Sequence, residues 1–221
     1  MSRDRATLVY MPGRGIADTI RLLLEVGGWT WDEYHPDSRE DFLALKSETV
    51  HGTIPYIRIH EGEAMQTLEQ SPAILKYLAR RAGLYPERID EQYRADMLCS
   101  LLCDFTAAIG FARFAPDPAE AVANLRTDLG PRYLPSLDRA LCDNLDGDGF
   151  CGTSLSFVDL QAFVALSFLR DFHEDAFDEH PRLEEFVERI ATLPRVVSFL
   201  QRRFGLPDAD YVVHCKSIVG L

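Results

Sequence analysis

Two short stretches carry residue types that could hold a small peptide. Gly52-Thr53-Ile54-Pro55-Tyr56-Ile57 sets a proline inside a strand-like run, and Leu68-Glu69-Gln70-Ser71-Pro72-Ala73-Ile74 follows after an acidic turn. Proline lacks the N–H that ladder pairing requires, so Pro55 belongs at a strand entrance and not in a central strand. A cis bond there would turn the preceding backbone outward and leave it open to an extended ligand. Gln70-Ser71-Pro72 reads as a helix start, with Ser71 as cap and Pro72 at the first helical position. Such an end offers free N–H groups, a hydroxyl and the positive helix pole to a carboxylate. A proline that presents backbone, beside a helix end ready for an anion, suits capture of a short peptide.

Composition narrows the setting. The chain has 221 residues, enough for one large domain or two small ones, with 47% hydrophobic and 26% charged residues. A net charge of −12 argues against nucleic acid or an anionic membrane as the main partner. The first residues carry no apolar signal region, and no apolar run reads as long enough to cross a bilayer. Five cysteines (Cys99, Cys103, Cys142, Cys151, Cys215) are odd in number, scattered and without a Cys-x-x-Cys, which predicts a reducing, cytoplasmic setting and no metal site. Cys99 and Cys103, one helical turn apart on an apolar stretch, read as core. Cys215, near the end, reads as the exposed thiol.

These motifs need elements to position them. Residues 6–10 read as a strand, 11–15 as a glycine-bearing turn, and 16–26 as a helix by apolar spacing. A second strand fits 29–34 and a short amphipathic helix 41–46. Residues 54–59 and 64–68 alternate around Glu61-Gly62, a hairpin signal. A helix from Ser71 then runs to about Arg81. The order β-α-β-α-β-β-α predicts a small α/β sandwich. Gly83-Leu84-Tyr85-Pro86-Glu87 reads as a linker, after which 94–111, 118–144, 156–172, 182–192 and 194–204 all read as helices. Ser156-x-x-Asp159 is a capping-box variant, with Leu155 and Leu160 spaced as a hydrophobic staple. The apolar run 160–169 marks the central helix of an all-helical second half.

Taken together these residues resemble the cytosolic glutathione transferases over nearly the whole chain. Tyr10 ends the first strand, Gly13-Arg14-Gly15 opens the first helix, and Ile54-Pro55 stands at the cis-proline position. Gln70-Ser71-x-Ala73-Ile74-x-x-Tyr77-Leu78 and Ser156-x-x-Asp159 match the family's two remaining signatures. The resemblance implies a thioredoxin-like domain over 1–83 and an all-α domain over 84–221. The tyrosine-type branch fits best. Ile16 replaces an arginine carried by alpha-class members, and residues 42–52 with Lys46 look closest to the sigma class.

The resemblance also implies roles. Glutathione is the co-substrate and an electrophilic small molecule its partner, with no metal. Tyr10 donates its phenol proton to the glutathione sulfur and so favours the thiolate, and Arg14 supports the Tyr10 hydroxyl region. Without the resemblance, Tyr10 is equally a half-buried strand-end residue and Arg14 equally a structural ion pair. Ser71 and Gln70 take the γ-glutamyl end, Ile54 offers backbone held by Pro55, and Lys46 meets the glycyl carboxylate. Phe42 stands where the sigma pattern has a tryptophan donor, and Thr53 where a lysine is common, so two contacts are lost. Asp104 reaches across a homodimer interface to the neighbouring γ-glutamyl ammonium, with Asp96 as competitor. Met11, Pro12, Phe105, Ala108 and Phe111 line the electrophile pocket, joined by residues 211–221. The predicted activity is conjugation of glutathione to electrophiles. The alternatives are glutathione-dependent isomerisation or peroxide reduction of the prostaglandin-D-synthase type, or a non-catalytic crystallin-like role.

Overall fold

The computed structural model describes residues 5–202 and 208–220. Four strands, β1 (Arg5–Val9), β2 (Thr30–Tyr34), β3 (Tyr56–Glu61) and β4 (Ala64–Glu69), form one sheet in the order β2-β1-β3-β4. β1 runs parallel to β2 and antiparallel to β3, and β3 pairs antiparallel with β4 around Gly62, whose φ of 63° serves the hairpin turn.

Alternation along β1 assigns each face its helices. Ala6 and Leu8 join the main core with α1 (Asp18–Val26) and α3 (Ser71–Ala82), whereas Val9 turns to the opposite face and packs with Leu45 of α2 (Arg39–Ser47) and Tyr56. This is the thioredoxin-like α/β arrangement the sequence predicts. The Ile54–Pro55 bond is cis, and β3 begins just after it at Tyr56, two residues later than the apolar run alone suggests.

The remaining described helices are α4 (Ile89–Ala112), α5 (Pro118–Ala123), α6 (Leu125–Cys142), α7 (Phe157–Phe172), α8 (Pro181–Ala191), α9 (Pro194–Gln201) and α10 (Asp208–Val219). The single helix expected over 118–144 is two, because the Asn124 carbonyl turns to accept from Asp128 N and Thr127 Oγ1 and starts a new helix. Residues 211–221, expected as a tail, belong to α10 as far as Val219. The expected end of α9 at Phe204 falls outside the described residues. α4 is long and apolar enough to cross a bilayer by length and composition, which corrects the sequence reading. It lies against α7 and α6 and buries Leu98, Leu102, Phe105 and Ile109.

α7 is central: every residue from Phe157 to Leu166 is buried. Its start is fixed by Asp159, which accepts from Ser156 N (2.7 Å), Ser156 Oγ (2.7 Å) and Phe150 N (2.7 Å). Phe157 N also donates to Leu84 O at 2.9 Å, tying the second half to the linker.

Candidate active site

Sheet register brings the predicted residues to one place. Val9 pairs with Tyr34 and Tyr56, and Tyr56 with Glu69, so Tyr10, Pro55 and Gln70 emerge side by side at one end of the sheet. Leu45 of α2 packs under that end against Val9, Tyr56 and Ile54, which carries Phe42 and Lys46 to the same rim. Residues spread over sixty positions of sequence thus converge.

The turn after β1 is pinned by a residue the motif reading missed. Arg21 on α1 is wholly buried. It donates to Gly13 O (2.8 Å) and Met11 O (3.4 Å), to Asp18 (2.6 Å), and twice to Glu33 (2.9 Å each). Its two carboxylates hold the guanidinium above its ordinary pKa despite burial, so it stays charged at any working pH. The guanidinium carbon lies 5.7 Å from the Tyr10 ring centre, and Tyr10 O accepts from His35 Nδ1 at 2.9 Å. The available signal was an arginine inside the apolar run Ile20 to Leu24, three residues after Asp18.

Tyr10 itself is covered, with 8% of its surface exposed. Its hydroxyl lies against Gly15, where an added Cβ would sit 2.7 Å away. Only glycine permits that approach. The roof is Tyr211 of α10, whose ring rests on Gly13 and whose hydroxyl stands 3.5 Å from that of Tyr10. Burial pushes the Tyr10 phenol above its ordinary pKa, opposed by donation from Tyr211 and by the field of Arg21. α10 is held down by His214 Nε2 on Pro36 O (3.3 Å) and by Arg39 on Val219 O. In this conformation Tyr211 covers the Tyr10 hydroxyl.

The opposite end of the candidate site is the start of α3. Gln70 has φ 69° and ψ 103°, a sparsely populated conformation that ends β4 and starts α3 in one step. Its carbonyl accepts from Ala73 N (2.9 Å) and Ile74 N (3.0 Å), so Gln70 is the cap and Ser71 is already the first helical residue. The capping role expected of Ser71 is thereby corrected, and no Gln70 side-chain bond closes the helix end. Glu69 accepts from Val50 N and His51 N at 3.0 Å each, fixing the loop before the cis proline. The His51 N–H, with other neighbours, holds this carboxyl below its usual range. Lys46 Nζ lies 5.4 Å from the buried Phe42 ring, and Thr53 N donates to Thr49 Oγ1 at 3.3 Å.

Comparison with known proteins gives a consistent picture. The sequence profile of the "Glutathione S-transferase, C-terminal domain" family matches residues 104–203. Rat "Glutathione S-transferase alpha-4" is 32% identical over 220 residues, covering 96% of each chain. The chain belongs to the glutathione transferase family. Chicken "Hematopoietic prostaglandin D synthase" is 28% identical, covering 89% of this chain and 95% of its own. The crystal structure of the glutathione S-transferase from Ascaris lumbricoides covers 92% of this chain with a TM-score of 0.78 at 23% identity, a likeness of fold. Relatives named for the alpha class stand within a few points of identity of the prostaglandin synthase, so these comparisons assign the family and leave the class open.

Within this glutathione transferase, the other expected residues take the following places. Arg14 pairs with Asp18 (2.9 Å) and with Asp171 of α7 and lies 5.0 Å from the Phe168 ring centre, so it ties the two halves together. Asp96 is engaged within the chain by Tyr85 Oη (3.0 Å) and Lys76 Nζ (3.3 Å), while Asp104 is exposed on α4. Phe105 is fully buried and stacked on Tyr133 at 4.7 Å, in the helical core. Met11 is buried, Pro12 and Ala108 are half-buried, and Phe111 is 74% exposed. Arg113 Nη1 donates to Arg14 O at 3.0 Å and brings the end of α4 to the turn, where Phe114 meets Tyr211 edge-on. Cys215 is buried and Cys142 is the exposed thiol, reversing the expectation, because α10 turns Cys215 inward with Tyr211. Cys99 is buried and Cys103 half-buried, with Gln161 Nε2 3.3 Å from the Cys103 sulfur.

Proposed function

We propose that this protein conjugates the thiol of glutathione to electrophilic small molecules, with Tyr10 as the catalytic residue. The observation that carries the reading is the shared register of Val9, Tyr56 and Glu69, which sets a phenol, a cis-proline backbone and a helix start along one groove. Ile54 pairs by backbone with the cysteinyl unit, as an added antiparallel strand would. Gln70, Ser71 and the α3 N-terminus take the γ-glutamyl carboxylate, and Lys46 the glycyl carboxylate. A free thiol has a pKa of about 8.5, so only a few per cent is thiolate at neutral pH. Donation from the Tyr10 O–H stabilises the thiolate, and the thiol proton leaves to solvent. The sulfur lone pair attacks the electrophilic carbon, a carbon–sulfur bond forms, and the leaving group departs with its electron pair. Tyr10 keeps its proton throughout, as its raised pKa allows.

The decisive test compares wild type with Tyr10→Phe on immobilised glutathione and in turnover of an aryl halide. Both should bind, and the variant should lose at least tenfold in kcat near neutral pH; equal turnover removes Tyr10 from the mechanism. A second reading, glutathione-dependent isomerisation, draws support from the prostaglandin synthase relative. A panel of endoperoxide and hydroperoxide substrates separates it from conjugation.

The reading extends to organisation and assembly. We place the domain boundary at 83/84, where Gly83 ends α3 with φ 69°. Tyr93, Met97, Ser100 and Asp104 recur at helical spacing on the exposed side of α4. This face fits a second copy of the chain, with Asp104 completing the neighbour's site. Five free cysteines support a cytoplasmic setting. Sedimentation should give a dimer, and Asp104→Ala should raise KM for glutathione without splitting it.

A further inference from the structure

We infer that Tyr211 is a second donor to the bound thiolate, delivered by α10 and sharing the sulfur with Tyr10. This rests on the glutathione reading above and adds a catalytic residue to it. The Tyr211 and Tyr10 hydroxyls face each other at 3.5 Å in a buried site. Good O–H···O bonds span roughly 2.5–3.0 Å, so the donation from Tyr211 to Tyr10 is long and weak. Two buried hydroxyls left in that state converge on a common point, and a thiolate placed beside the pair would accept from both.

The Tyr211 ring is fixed by contacts that do not consume its hydroxyl. It lies on Gly13, where a Cβ would fall 2.1 Å from the ring. It sits 4.7 Å beneath the Arg113 guanidinium and meets Phe114 edge-on at 6.2 Å. Cys215, one helical turn along α10, is buried beside the same hydroxyl. In the cycle, glutathione enters with α10 raised and docking of α10 brings the second O–H to the sulfur. The thiol proton goes to solvent and both phenols retain theirs. As the carbon–sulfur bond forms the sulfur loses its charge, both hydrogen bonds weaken, and α10 is freed to lift.

The test is Tyr211→Phe, which keeps the ring and its packing and removes only the donor. The thiol of enzyme-bound glutathione is titrated by ultraviolet thiolate absorbance, alongside the pH profile of kcat/KM with an aryl halide. The expected result is a thiol midpoint moved upward, with about threefold to tenfold less thiolate at neutral pH, the weight of one net hydrogen bond. Turnover should recover at higher pH, with KM for glutathione and the urea midpoint unchanged. An unmoved thiol midpoint overturns the inference. A lowered urea midpoint also overturns it, since packing and not the hydroxyl would then be at work. Tyr10→Phe run in parallel keeps the two ideas apart: if it too leaves the midpoint unmoved, the glutathione mechanism itself fails, whereas a shift there alone refutes only the role of Tyr211.

Discussion

Replacing Arg21 with methionine is the sharpest probe of how the site is held. Methionine keeps most of the side-chain length and removes the charge and all donors. Glu33 then loses a bidentate partner at 2.9 Å, and the carbonyls of Gly13 and Met11 lose theirs. Asp18 keeps Arg14 at 2.9 Å, so Glu33, with 12% of its side chain exposed, bears the larger share. Removing one partner of a buried ion pair costs about 3–5 kcal/mol, chiefly because the other charge stays buried. Against a typical stability of about 5–15 kcal/mol this leaves a marginal protein. Urea unfolding of Arg21→Met should show that loss as a lowered midpoint with unchanged slope. Arg21→Met combined with Glu33→Gln should regain part of it, because no bare carboxylate then remains. Arg21→Lys should fall between, since an ammonium cannot bridge Glu33, Asp18 and the carbonyls together. The folded fraction of Arg21→Met should also lose more in kcat than in glutathione binding, because the 11–15 turn aims Tyr10 whereas Ser71 stands on α3. A cost under about 1 kcal/mol, or a double variant weaker than the single, would refute the reasoning.

Other consequences follow from separate parts of the molecule. Asp159→Ala should destabilise the chain by about 3–5 kcal/mol in urea unfolding, since it removes a cap and strands the buried N–H groups of Phe150 and Ser156. In the native protein, alkylation followed by peptide mass mapping should label Cys142 first, with Cys99, Cys151 and Cys215 protected until unfolding. Burial pushes the Cys151 thiol up to about 11, so its native state holds the proton more tightly than the unfolded chain. The stability this contributes is complete below the ordinary thiol range and is lost as pH rises through about 11. Cys151→Ala should flatten that alkaline decline in urea midpoints, and an unchanged slope would show that another group titrates.

Much of this protein is legible in its sequence where one residue type serves one local geometry. Pro55 announces a strand entrance because it cannot donate to a ladder, and the structure begins β3 at the next residue. Glu61-Gly62 announces the hairpin, and Ser156 with Asp159 the start of α7, because each motif satisfies its own backbone within a few residues. Ser71 was legible as a helix start but not as its cap, since the turn depends on Gln70 adopting a positive φ that no residue type demands.

The tertiary structure alone decided what surrounds the Tyr10 hydroxyl. Arg21 stands out in sequence only as a charge within an apolar run; its role appears when Glu33 arrives from β2 and the carbonyls of residues 11 and 13 fold back on it. Tyr211 lies 201 positions from Tyr10 and meets it only because α10 crosses α2 and the 11–15 turn. Phe105 and Cys215 went inward for the same reason: apolar spacing says which side of a helix is greasy, and only packing says what that side faces. Local signals act through bonds a few residues long and so are written in order along the chain. The site is made of contacts between elements, whose partners are chosen by register, helix phase and the shape of the whole.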